Sequence, residues 1–360
     1  MAVLPSIGTF VSFFYQVCLA QPSTEPLFGQ LAAGNNYQLK RQKQGLALHA
    51  QHVLPLQQGA SFVLNTVSDF SNVIRLFGTK LNWSALAEVL QIVVETDATL
   101  ACRVYQPHKA LTGALELQLK QPLTFKLQQQ LNDLAARLAI EVVYLPVRPI
   151  LCQPGLLVMD MDSTAIAIEC IDEIAKLAGV GEQVAAVTAR AMNGELDFTQ
   201  SLTERVALLA GAPEQVLQQV LATLPLMPGL TELVAHLKAH SWQVAIASGG
   251  FTYFTNALQQ QLGLTATFAN VLEIIDGKLT GKVLGNIIDA NAKARVVQQL
   301  ATAYNISHSQ TIAIGDGAND IPMLNVAALG VAFHAKPKVQ AQAKAAIRHG
   351  SLLQLLYLID

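Results

Sequence analysis

The chain is 360 residues long, 52% hydrophobic and only 13% charged, with a formal net charge of −2. That balance excludes nucleic-acid binding through a basic stripe and leaves no polybasic segment for an anionic membrane. A mean hydropathy of +0.36 raises the question of a membrane span. The best candidate, Ala2 to Ala20, contains Pro5, Ser6, Gly8, Thr9, Ser12 and Gln16, and is too polar for the roughly 20 apolar residues a span needs. It also lacks the basic start of a secretory signal, since the first Lys or Arg is Lys40. Cys18, Cys102, Cys152 and Cys170 are scattered without a CxxC pair, which points to a reduced compartment and a cytoplasmic protein.

The length suits two domains. Residues 1–59 show no firm pattern. From residue 60, alternation predicts a strand at Ser61 to Val67. Helical spacing follows over Trp83 to Val93, with Leu86, Val89 and Leu90 on one face. Strands are predicted at Leu100 to Tyr105 and Ala114 to Leu119, an amphipathic helix at Thr124 to Leu138, and a strand at Glu141 to Val147. The order is βαββαβ, the split βαβ arrangement, so residues 60–150 read as an α+β domain. Pro146-Val147-Arg148-Pro149 and Gln153-Pro154-Gly155 mark a linker after it.

Beyond the linker, Leu156 to Met159, Val244 to Ala247, Ile312 to Ile314 and Leu329 to Phe333 are unbroken apolar runs. Such runs suit parallel strands buried on both faces, and the helical segments between them imply right-handed crossovers. The expected fold for residues 151–360 is therefore α/β, a doubly wound parallel sheet. Leu272 to Val283 is the exception, a hairpin around Asp276-Gly277. Residues 170–226 are mostly helical and interrupt the sheet after its first strand, so they read as a helical cap over the strand ends.

Ligands bind at the carboxyl ends of such strands. The first run ends in Asp160-Met161-Asp162-Ser163-Thr164, the second in Ser248-Gly249-Gly250, and the third in Gly315-Asp316-Gly317-Ala318-Asn319-Asp320. One Asp at a strand end commonly caps a helix or holds a turn. Four of them, Asp160, Asp162, Asp316 and Asp320, facing one crevice repel each other, by about 4 kcal/mol per pair at 4 Å and an effective dielectric of 20. A hard divalent ion with oxygen ligands, most simply Mg²⁺, relieves that repulsion.

These residues resemble the DxDxT motif and the later motifs of the haloacid dehalogenase-like phosphatases. Asp160-Met161-Asp162-Ser163-Thr164 matches the first motif, Ser248 the second, Lys293 the third, and Gly315 to Asp320 the fourth, over residues 156 to about 335. The resemblance implies an aspartyl-phosphate mechanism: Asp160 as nucleophile, Asp162 as proton donor and acceptor, and Lys293 as the buried cation, held by Asp320. Mg²⁺ is implied at Asp160, Asp162 (through its backbone carbonyl) and Asp316.

The cap sharpens the likeness. Ile168-Glu169-Cys170-Ile171-Asp172-Glu173-Ile174-Ala175, with Met192, Phe198 and Arg205 beyond it, is similar to the substrate-binding cap of those members that hydrolyse O-phospho-L-serine, the last step of serine biosynthesis. There Glu169 would take the substrate ammonium, Arg205 its carboxylate, and Met192 and Phe198 its apolar contacts. Ser248, Gly249, Lys293 and Asn319 would take the phosphate. A phosphotransferase that passes the phosphoryl group to an alcohol acceptor would use the same motifs. Residues 60–150 resemble an ACT-like domain, which would sense an amino acid or form a dimer, making a homodimer the compatible assembly.

Overall fold

A computed structural model describes residues 15–17, 36–42, 45–50, 72–93 and 99–360, and the chain divides into two units, Met1–Pro146 and Val147–Asp360. The first unit contains β1 (Tyr15–Val17), β2 (Asn36–Gln42), β3 (Gly45–Ala50), β4 (Asn72–Phe77), α1 (Trp83–Val93), β5 (Thr99–Tyr105), β6 (Ala114–Leu119), α2 (Phe125–Leu138) and β7 (Glu141–Leu145). Its sheet runs β1-β3-β2-β5-β6-β4-β7. The segment β5-β6-β4-β7 is antiparallel throughout and realises the βαββαβ order with split crossovers.

The first strand of that series is Asn72–Phe77, in place of Ser61 to Val67, which lies outside the described residues. Arg75 conceals β4 in the sequence by breaking an apolar run. Its charge is tolerated, fully buried, because Glu116 on β6 accepts from its Nε and Nη2 at 2.9 and 2.8 Å. The last strand stops at Leu145, short of Val147, because Pro146 has no N–H to donate to a ladder. Strands β1 to β3 come from residues whose sequence shows no firm pattern. The apolar faces of α1 and α2 bury Leu86, Leu90, Leu131 and Leu134 against Ile74, Leu76, Leu115 and Leu117 of the sheet.

The second unit begins with β8 (Leu156–Met159), all four residues of which are 0% exposed. The cap follows as α3 (Cys170–Leu177), α4 (Gly181–Met192), α5 (Phe198–Ala207) and α6 (Gln215–Ala222). Its two connections to the sheet run side by side: Ala167 N–H donates to the Pro225 carbonyl and Met227 N–H to that of Ala165. Next come α7 (Leu230–Ala239), β9 (Gln243–Phe251), α8 (Thr252–Leu262), β10 (Ala266–Ile275), β11 (Lys278–Leu284) and α9 (Ala290–Ala303). The unit closes with β12 (Thr311–Gly315), α10 (Ile321–Val326), β13 (Leu329–Phe333), α11 (Pro337–Gln340) and β14 (Ala345–Ile347).

The sheet order is β11-β10-β9-β8-β12-β13-β14, parallel except for β11. The chain steps outward from β8 through β9 to β10, then returns to β12 on the other side. That reversal makes β8 the switch point where a crevice opens at the carboxyl ends. The hairpin expected at Leu272 to Val283 is longer on its first arm. Strand β10 starts at Ala266, pairs parallel with β9 through Phe268 and again at Asn270, and only from Val271 pairs antiparallel with β11. Among the described residues, no helix is long and apolar enough to cross a membrane.

Candidate active site

Strand β8 hands the chain directly into a tight turn. Asp160 N–H donates to the Ile314 carbonyl at 3.0 Å, continuing the ladder to β12. The Met161 carbonyl then accepts from the N–H groups of Thr164, Ala165 and Ile166, while Ser163 takes a left-handed φ of 56°. The turn aims three side chains. Asp160 Oδ2 lies 2.7 Å from Lys293 Nζ. Asp162 Oδ1 accepts the N–H of Cys170, the first residue of α3, at 3.0 Å. Thr164 donates its hydroxyl to Asp316 Oδ1 at 3.0 Å.

Lys293 stands in the first turn of α9, which Asp289 caps by accepting the Ala292 N–H. Its ammonium is 1% exposed and sits between Asp160 and Asp320, 2.7 Å from an oxygen of each. Asp320 also accepts the Gly317 N–H, so both its oxygens are engaged. Gly315 is required beside it, because a Cβ there would fall 2.5 Å from the Asp320 carboxyl carbon.

One carboxylate oxygen from each of Asp160, Asp316 and Asp320 lies within 4.8 Å of the others. Burial, then the charge of Asp320, pushes the Asp160 carboxyl well above the usual range, against the pull of Lys293. Burial and Asp320 likewise push Asp316 up to about 6. Burial and the nearby Glu169 push Asp162 up to about 7. Burial works against the charge of Lys293, but Asp160 and Asp320 outweigh it and raise its pKa. This concentration of hard, mutually repelling oxygens fits a divalent cation. Asp160 has both oxygens engaged as well, Oδ2 by Lys293 and Oδ1 by the Met161 N–H at 2.7 Å, whereas Asp316 accepts from Thr164 through Oδ1 and keeps Oδ2 for a cation.

A cavity of about 360 Å³ lies over these groups. Its floor contains Asp160, Asp162, Asp316, Asn319, Gly249 and Gly250; Glu169, Met192, Phe198 and Arg205 line it from the cap side. Nine of the residues singled out from the sequence therefore share one cavity. Ser248, Lys293 and Asp320 do not line it: they are 0%, 1% and 0% exposed, one layer below. Met192 stands 69% exposed at the rim.

The two glycines leave space that side chains would fill. A Cβ on Gly249 would meet Phe198 Cζ at 2.6 Å, and one on Gly250 would meet Asp162 Oδ2 at 2.6 Å. Glu169 Oε1 accepts the Ser163 hydroxyl at 2.7 Å, and burial raises its pKa. Burial lowers that of Arg205, whose charge is supported by Asp172, Glu169 and Asp162.

Four contributors receive no individual role from the sequence. Ser163 and Thr164 stand inside the first motif, and Gly250 beside Gly249, so proximity was the signal for these three. The fourth, Asn270, is 1% exposed within the apolar stretch of β10. An isolated amide in such a run was its sole trace.

A family model described as haloacid dehalogenase-like hydrolase matches residues 155–328. The chain is 59% identical over 216 residues to the phosphoserine phosphatase of Vibrio cholerae, covering 59% of this chain and 66% of that protein. It is 57% identical over 221 residues to the phosphoserine phosphatase of Haemophilus influenzae, covering 61% of this chain and 70% of that one. The unliganded crystal structure of a probable phosphoserine phosphatase from Vibrio cholerae superposes with a TM-score of 0.66 at 45% identity, over 80% of this chain and 86% of its own. With this identity across most of the relatives' length, and the motif residues gathered in one crevice, the chain belongs to the haloacid dehalogenase-like hydrolases, in the family of the phosphoserine phosphatases.

Proposed function

We infer that this chain hydrolyses O-phospho-L-serine to L-serine and phosphate through an aspartyl-phosphate on Asp160. The observation that carries the reading is the two-ended cavity. Its floor offers paired carboxylates to a phosphoryl group, and Glu169 and Arg205 offer opposite charges to an amino acid.

Asp160 attacks phosphorus in line. The P–O bond to serine breaks, and its electron pair leaves with the serine oxygen. Asp162, whose buried carboxyl is raised to about 7, holds a proton near neutrality and gives it to that oxygen. It then takes a proton from the water that attacks the phospho-aspartate, releasing phosphate and restoring both carboxyls. Lys293 favours the ionised form of Asp160 against its burial, with Asp320 fixing the ammonium.

The Gly249 N–H and Asn319 on the cavity floor supply donors to the phosphoryl oxygens, with Ser248 bracing the turn beneath them by accepting the Gly250 N–H. Mg²⁺, held by the side chains of Asp160 and Asp316 and the backbone carbonyl of Asp162, would neutralise charge on the transferring group and orient it. With Asp162 protonated, the ionised groups Asp160, Glu169, Arg205, Lys293, Asp316 and Asp320 sum to −2, which a divalent cation would balance.

At the other end Glu169 pairs with the substrate ammonium and Arg205 with its carboxylate, a bidentate match for a guanidinium. Met192 and Phe198 close over the carbon skeleton. Arg205→Ala tests the assignment: turnover of O-phosphoserine should fall by orders of magnitude more than that of p-nitrophenyl phosphate, which has no carboxylate to leave unpaired. Equal losses on both would overturn it. The split βαβ order of the first unit supports an ACT-like reading of that segment.

A further inference from the structure

We propose that Asn270 is a positioning residue for the phosphoryl end of the site, clamping the Ser248–Gly250 turn to the entrance of α9. This rests on the phosphoryl-transfer reading above. Strand β9 pairs with β10 in register up to Ala247 opposite Phe268, and pairing resumes at Phe251 opposite Asn270. Ser248, Gly249 and Gly250 thus bulge out opposite the single residue 269, and within a bulge the ladder bonds are lost.

The Asn270 side chain replaces them. Its Nδ2 donates to the Gly249 carbonyl at 2.8 Å, and its Oδ1 accepts the Ile288 N–H at 2.8 Å. One planar amide, 1% exposed, therefore spans two backbone segments and sets the gap between them. Each segment carries part of the phosphoryl site. The Gly249–Gly250 peptide is pinned at both edges, its carbonyl by Asn270 and its N–H by Ser248 Oγ at 2.9 Å. On the other side, Ile288 adjoins Asp289, the cap of α9, whose first turn holds Lys293 against Asp160. The clamp thus registers the donors of the turn against the cation that serves the nucleophile.

The chemistry narrows what can replace it. Asp has the same shape but, ionised, turns a carboxylate oxygen on the Gly249 carbonyl in place of a donor. Leu has similar volume and neither function. Buried groups left without partners move until they find one, and a shift of about 1 Å in a site built on positioning costs roughly 10²-fold in rate.

The test uses the full chain with Mg²⁺, and O-phosphoserine and p-nitrophenyl phosphate as substrates, after thermal melting has shown each variant folded at the assay temperature. Asn270→Asp and Asn270→Leu should each lower kcat by roughly 10²-fold, by the same factor on both substrates, with the KM for O-phosphoserine little changed. A residue that merely fills space would leave Asn270→Asp near wild-type activity, and that result overturns the proposal. So does a loss confined to the KM for O-phosphoserine, which would place Asn270 at the amino-acid end. If Asn270→Leu does not fold, the isosteric Asn270→Asp decides alone. Failure of the unaltered chain to hydrolyse either substrate would overturn the underlying function, an outcome distinct from wild-type turnover by Asn270→Asp.

Discussion

Replacing Lys293 by Met removes the cation from between two buried carboxylates and keeps most of the volume. At 2.7 Å from each oxygen, the ammonium attracts each carboxylate by about 6 kcal/mol at an effective dielectric of 20. Desolvation offsets much of that, and removing one partner of a buried pair costs about 3–5 kcal/mol. Asp160 and Asp320 then face each other with oxygens within 4.8 Å and no counter-charge. The Asp160 carboxyl, already raised by burial and the charge of Asp320, loses the Lys293 pull that lowers it and rises further, so the folded variant binds more protons than the unfolded chain. Its stability is therefore retained below the ordinary carboxyl range near 4 and lost as pH climbs through the raised value.

Urea denaturation at about pH 5 and about pH 8 reads this out. The chain has two tryptophans, so in a Trp83→Phe background the fluorescence comes from Trp242, 2% exposed in the second unit. The expected loss is about 3–5 kcal/mol at pH 8 and clearly less at pH 5, and Asp320→Asn added to Lys293→Met should recover part of it. A loss below about 1 kcal/mol at pH 8, or an equal loss at both pH values, would refute the reasoning.

Three further outcomes follow from the geometry. Gly250→Ala places a methyl 2.6 Å from Asp162 Oδ2 and 2.7 Å from Met161 Cε, so kcat should drop roughly 10²-fold on both substrates; unchanged turnover would show that the contact relaxes harmlessly. Ser163→Ala removes the hydroxyl that orients Glu169. It should raise the KM for O-phosphoserine roughly three- to tenfold while sparing p-nitrophenyl phosphate, as parallel kinetics would reveal. In the first unit, burial pushes the Glu116 carboxyl up, but Arg75 and Arg103 outweigh it and hold it below the usual range. This pair stabilises above the unfolded pKa, and its contribution is lost as pH falls through the lowered folded value. Glu116→Gln should therefore cost about 3–5 kcal/mol at neutral pH and flatten the acid dependence of melting, measured by calorimetry.

Much of the second unit is legible in the sequence because its physics is local. A strand buried on both faces must be apolar at every position, and Leu156 to Met159 is. A carboxylate placed directly after such a strand is conspicuous, which is why Asp160 and Asp316 stand out. The first unit was less readable. Strand β4 is interrupted by Arg75, whose burial makes sense only once Glu116 arrives from 41 residues away. Strand β10 divides its pairing between a parallel and an antiparallel neighbour, a division that has no signature in its own residues.

By itself, the order of residues determined the class of sheet, the carboxylates at its strand ends, and the charge conflict that calls for a cation, since each follows from composition over a few neighbouring positions. Tertiary structure alone decided which groups touch the cavity and which support it from beneath. Ser248, Lys293 and Asp320 are one layer down, and Asn270 joins two segments that are distant in sequence. The reason is that burial and hydrogen-bond pairing depend on how separate strands register against each other. A side chain's type records only that it can make such a bond.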